Sequence, residues 1–194
     1  MKPKKAIMIT AIISLMSILI LGTTAFALPW RTQRNVSAVL EYTVYRYTVL
    51  QQIATGITEL RRVVTLTALH GGEYAEILGL SQVELEEKLD IAARDLTWLI
   101  ESYRCNISRD PQLPRAAREA SKYDITRLEK LIQQYVTEVA EYVLDYAFDQ
   151  NRTGAVTRIA DGASIMDEIT ELHDWIIIMY VVFMDDVVHI IRRM

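Results

Sequence analysis

The sequence predicts an all-α protein: an N-terminal transmembrane helix followed by an antiparallel up-down-up-down four-helix bundle. Three observations carry that prediction. Residues Ala6 to Trp30 contain no charge and follow Lys2, Lys4 and Lys5. Apolar residues then recur in alternating steps of three and four along three segments, and a fourth carries apolar residues on one side, the spacing of helices packed side by side at shallow angles. Only seven glycines and four prolines punctuate 194 residues, too few turn formers for many short strands.

The N-terminal segment sets the topology. About 20 apolar residues cross a bilayer as a helix, and flanking lysines hold that end in the cytoplasm. Residues 1–30 therefore read as a membrane anchor. Ala25-Phe26-Ala27 also fits the small-x-small pattern of a signal-peptidase site, so cleavage after Ala27 is the alternative. The length of the apolar stretch favours the anchor, since a signal-peptide core runs to about 7–15 residues. Both readings export residues 31–194, which places the protein at the cell membrane with its bulk extracytoplasmic.

Four helices are expected over about 31–70, 82–108, 115–149 and 155–193. In the first, Leu50, Ile53, Ile57, Leu60 and Val64 form the seam, and Gly71-Gly72 stops it. At roughly 1.5 Å per residue it is about 60 Å long. Ser81 with Glu84 makes a capping box for the second, whose seam is Leu85, Leu89, Ala92, Leu96, Leu99 and Tyr103. Asp110-Pro111 and Leu113-Pro114 then break the chain. The third helix carries Ile125, Leu128, Ile132, Tyr135, Val139, Tyr142 and Tyr146, and the fourth Ile159, Met166, Ile169 and Leu172. Asn151-Arg152-Thr153-Gly154 is the turn between them. All three asparagines, Asn35, Asn106 and Asn151, stand in N-x-S/T triplets. These are glycan acceptors where a glycosylating machinery exists, and are read here as helix-capping chemistry.

Trp175–Ile191 has two readings. Trp175 to Met184 is uncharged and Arg192-Arg193 would flank a second span. Asp185-Asp186 interrupts it, however, and each buried Asp costs roughly 2.5–3.5 kcal/mol near a span's centre. A fourth helix that turned into a span at Trp175 would also be too short to match the first. The segment is therefore expected to be the membrane-proximal end of the bundle and a dimer contact.

Charge and motif content narrow the function. Without the three leading lysines, 18 basic residues face 25 acidic ones, a formal −7 that repels nucleic acid. Cys105 is the single cysteine, so no internal disulfide and no cysteine-based metal cluster can form. Phosphate-binding glycine loops, nucleophile elbows and zinc helices are absent. His70, His173 and His189 lie far apart or at helix ends. Asp186-x-x-His189 occurs once, whereas a di-iron bundle needs such a pair on two helices. Glu84, Glu86, Glu87 and Asp90 lie opposite their helix's seam, as on a solvated face. No catalytic residue, cofactor or metal site is expected, and the chain reads as a binding protein rather than an enzyme.

Arg61-Arg62, behind Glu59-Leu60, is the polar feature that stands out. Adjacent helical side chains diverge by about 100°, so one guanidinium can edge the core while the other faces a neighbour or solvent. Arginine's planar fork suits a carboxylate ligand. The alternative is a salt bridge to Glu59 three residues back, or plain solvation.

Basic start, apolar anchor, four long helices and return to the membrane together resemble the extracytoplasmic four-helix-bundle sensing domain of methyl-accepting chemotaxis receptors and related sensor kinases. The most specific stretches are Ile57-Thr58-Glu59-Leu60-Arg61-Arg62 and Tyr135 to Ala155. The resemblance implies a chemotaxis-type signal-transduction sensor, a homodimer with a small-molecule ligand pocket between its two bundles. Arg61 and Arg62 are then the candidate ligand contacts. No HAMP linker or cytoplasmic signalling helices follow Met194, so the expectation is a sensor fragment or a bundle acting through a partner. The competing class is an exported, membrane-tethered interaction or structural bundle with no small-molecule ligand.

Overall fold

The expected seam of the first helix is buried throughout, whereas in the second Ile100 takes the buried place expected of Leu99, which stays partly exposed together with Ala92. A computed structural model of the chain describes residues 41–69, 79, 82–111 and 113–193. The expected anchor or signal peptide (1–30), the first ten residues of the first helix, the Gly71-Gly72 stop, the Ser81 cap and His70 lie outside them. Four helices are present: α1 over 41–69, α2 Gln82–Arg109, α3 running through Arg115–Tyr135, Val136–Ala140 and Glu141–Phe148, and α4 Arg152–Arg193. Among the described residues there is no strand, so this part of the chain is all-α.

One hydrophobic core joins all four helices. Leu50, Ile53 and Leu60 of α1 meet Leu96, Ile100 and Ile107 of α2, Ile125, Leu128 and Val139 of α3, and Ile169 of α4, all essentially inaccessible to water. Fully burying each such side chain contributes about 1.5–3 kcal/mol, and this area, more than helix propensity, holds long isolated helices together. Among the described residues no helix is long and apolar enough to cross a membrane.

Contacts between neighbouring helices step in opposite directions along the two sequences. Gly56 of α1 touches Leu96 of α2, while Arg46 reaches Asp110. Arg104 of α2 pairs with Glu129 of α3 at 2.6 Å, and Asp110 receives Arg118 on its carbonyl at 2.8 Å. Arg127 of α3 pairs with Glu168 of α4, and Val139 lies against Gly162. His173 of α4 meets the carbonyl of Leu50 at 3.0 Å, and the Tyr180 hydroxyl donates to the carbonyl of Thr43 at 2.7 Å.

The α3 seam departs from expectation past Val139. Tyr142, expected inside, is 49 % exposed, and Val143, Leu144 and Ala147 are buried instead. The cause is a π-helical turn over Val136–Ala140, where the Glu141 N–H donates to the carbonyl of Val136, five residues back. A π-turn inserts one extra residue into the helical repeat. Every later seam position therefore moves on by one, from 142 to 143 and from 146 to 147.

Two other boundaries have local causes. α3 ends with Gln150 at a φ of 58°. The Asn151 N–H donates to the carbonyl of Tyr146 at 2.8 Å and the Gln150 N–H to that of Ala147 at 3.3 Å. This is the paired closure of a Schellman motif, usually built on glycine. Asn151 then opens the next helix, its Oδ1 accepting the Gly154 N–H at 2.9 Å. That capping role starts α4 at Arg152, three residues before the expected Ala155.

Candidate functional site

Arg61 and Arg62 are both exposed and take different surroundings. Arg62 grips Glu59 through two bonds, Nε–Oε2 at 2.8 Å and Nη2–Oε1 at 2.6 Å. The hydrogen bond from Arg62 holds the Glu59 carboxyl below its usual range. The Arg62 fork, the element suited to a carboxylate ligand, is engaged by its own helix. Arg62, Glu59, Gly56 and Lys88 line an open groove of about 610 Å³ between α1 and α2. Arg61 is turned away from that groove, close enough to oppose the upward shift that burial gives the Tyr135 hydroxyl. The two arginines are thus not brought to one site. Their roughly 100° divergence on the helix, expected from the sequence, is what separates them.

The densest polar arrangement lies elsewhere, where the first turns of α1 meet the end of α2 and the late part of α4. Arg46 Nη2 and Asp110 Oδ2 are 2.7 Å apart, each side chain only 3 % exposed. The Arg46 guanidinium also lies over the rings of Tyr180 and Phe183, at 5.8 and 5.9 Å from their centres. Tyr180 stacks on Tyr47 at 6.0 Å. Arg46 is not among the expected site residues, yet Arg46, Leu50 and Ile53 continue the same steps of four and three. The spacing was the available signal. His173 is buried at mid-α4 with its ring nitrogen on the Leu50 carbonyl.

Behind Arg46 a cleft of about 220 Å³ opens between α2, α3 and α4. Its walls include Leu113, Ile176 and Phe183, and its polar groups include Arg46, Tyr103, Ser121, Asp124 and Tyr180. Tyr103 is 3 % exposed, and burial pushes its hydroxyl up to about 12. It is therefore a neutral phenol at physiological pH. No site of three or more His, Cys, Asp or Glu side chains able to hold a metal occurs among the described residues.

The π-turn of α3 creates a second small network. A π-turn disturbs the regular ladder and leaves backbone groups without their usual helical partners. The Glu138 carbonyl accepts from Arg158 Nε of α4, and the same guanidinium sits 4.8 Å above the Tyr142 ring that the turn has rotated outward. Opposite, Gly162 leaves room for Val139, whose Cγ2 lies 2.4 Å from where a Cβ would stand.

Finally, α4 carries two apolar seams. Met166, Ile169, His173, Ile176 and Tyr180 face the core, while Trp175, Ile178 and Val182 face water at 50–53 % exposure. Met179 and Val181 widen this outer stripe, and Val44, Tyr45 and Tyr47 of α1 are exposed at the same end. An uncharged helix surface of this extent is unusual on an isolated soluble domain. No protein-family model, curated protein or solved structure matches the chain.

Proposed function

We propose that the protein is a membrane-tethered, exported four-helix bundle that acts by pairing with a second copy of itself through the outer stripe of α4. The helices run up-down-up-down in this reading, supported by the opposed stepping of contacts such as Arg46–Asp110 with Gly56–Leu96. The observation that carries the function is Trp175, Ile178 and Val182, a step of three then four, all half-exposed on a ten-residue stretch without charge. That is a coiled-coil seam with no partner within the described residues. A two-fold axis sets such a stripe against itself, so each copy supplies what the other lacks. An uncharged surface offers no ionic grip to a polar partner, and tethering through residues 6–30 would hold copies in one plane and raise their effective concentration.

The test is sedimentation of the full chain in detergent with Ile178→Asp and Val182→Asp together. Because both positions are exposed, helix content should stay unchanged while dimer converts to monomer. A dimer of unchanged stability would reject the reading.

Sensing of a small solute, as in chemotaxis-type receptors, is the second reading. It is favoured by the cleft beneath Arg46 rather than by Arg61 and Arg62.

A further inference from the structure

We infer that the cleft between α2, α3 and α4 is a binding site for a small organic amine, one cationic head on a compact aromatic or branched apolar body. The groups that would hold the amine, Tyr103 and Asp124, come from α2 and α3, while Met179 and Val182 of the outer α4 stripe share the cleft's lining.

Three observations carry it. Tyr103 is buried to 3 % exposure, lines the cleft, and has no hydrogen-bond partner among the described residues. Among the described residues the side-chain atoms buried without a partner are Asn106 Oδ1 and Arg118 Nε, so the Tyr103 oxygen keeps an opening onto the cleft through which water or a ligand can match it. Asp124, one helical turn before Leu128, lines the same cleft, is half-buried, and lies close enough to Tyr103 to act on its titration. It forms no ion pair among the described residues. The positive charge in the cleft, Arg46, is already matched by Asp110 at 2.7 Å and covered by two rings. The cleft's available charge is therefore negative, and its available neutral group can accept a hydrogen bond from an N–H.

Size and lining select the body. Leu113, Ile176 and Phe183 give apolar walls, and about 220 Å³ is the space. An apolar cavity of about 150 Å³ takes up benzene. A single ring with a two-carbon amine arm is thus the appropriate scale, with the ammonium on Asp124 and one of its N–H groups on the Tyr103 oxygen. A carboxylate would meet Asp124 with like charge and would have no free cation to replace it.

The experiment uses the full chain in lipid nanodiscs and calorimetric titration with 2-phenylethylamine, with ethylbenzene and 3-phenylpropionate as neutral and anionic counterparts. The expected result is saturable amine binding, one per chain, and no saturable binding of the anion. Asp124→Asn should weaken the amine about tenfold and Tyr103→Phe about three- to tenfold, the scale of one charge-assisted hydrogen bond. Ala120→Phe, at an exposed position on the cleft lining, should abolish binding by filling the space without disturbing the core. The inference is overturned if the amine does not saturate, if 3-phenylpropionate binds equally well, or if Ala120→Phe leaves amine binding unchanged. Saturable amine binding by a parent chain that sediments as a monomer would count only against the α4 pairing.

Discussion

The buried Arg46–Asp110 pair offers a quantitative test of how the bundle end is held. The ions are 2.7 Å apart and both almost fully withdrawn from water. Such a pair gains little over apolar side chains of the same size, because desolvation offsets the attraction, yet removing one partner strands the other. Arg46→Met keeps most of the side-chain volume and removes the cation 2.7 Å from Asp110, which should cost up to about 3–5 kcal/mol. For a domain of this size that lowers the melting temperature by about 6–20 °C. Arg46→Met with Asp110→Leu removes both charges and should recover most of the loss. The assay is thermal and urea unfolding of the four members of the cycle, followed by circular dichroism. Costs that simply add across the cycle, or an Arg46→Met variant within about 0.5 kcal/mol of the parent, would refute the reasoning.

Further outcomes follow from other parts of the bundle. Tyr103 holds its proton more tightly folded than unfolded, at about 12 against the ordinary 10. Its contribution is therefore constant below pH 10 and lost as pH rises from 10 to 12, by about 3 kcal/mol at most, and Tyr103→Phe should flatten that part of an alkaline stability curve. Gly162→Ala places a Cβ 2.4 Å from the stiff Val139 Cγ2, whereas Gly56→Ala meets Cδ2 of the buried Leu96 at 2.6 Å and its Cγ at 3.1 Å. Gly162→Ala should thus destabilise by about 1–3 kcal/mol in chemical unfolding, with a smaller loss for Gly56→Ala because Leu96 has one more rotatable bond than Val139. Gln150, left-handed at φ 58°, should gain about 0.5–1 kcal/mol on Gln150→Gly, measured in the same way.

The sequence disclosed the fold wherever burial followed a simple repeat. Leu50, Ile53, Ile57, Leu60 and Val64 are all buried, as their steps of three and four require. The repeat failed at Tyr142, because a π-turn changes the count of residues per turn and no composition signal announces one. It was also read too narrowly, on apolar residues alone. Arg46 and His173 occupy seam positions, and both are buried with partners supplied by another helix. Those partners lie 64 and 123 residues away in sequence, so the helices must be packed before the pairing is visible. The candidate site at Arg61 and Arg62 rested on residue type. The alternative offered by the sequence, a salt bridge to Glu59 three residues back, is the one that Arg62 makes. The cleft at Tyr103 and Asp124 draws on three helices and has no linear signature.

The most direct test of the central claim, that the outer stripe of α4 is an interface between copies, is disulfide trapping in native membranes. Cys105 is free and exposed, so Cys105→Ser gives a thiol-free background. Ile178→Cys in that background should form a covalent dimer on mild oxidation, while Thr97→Cys, exposed on α2, should stay monomeric. A monomeric Ile178→Cys chain, or equal trapping at both positions, would contradict the account.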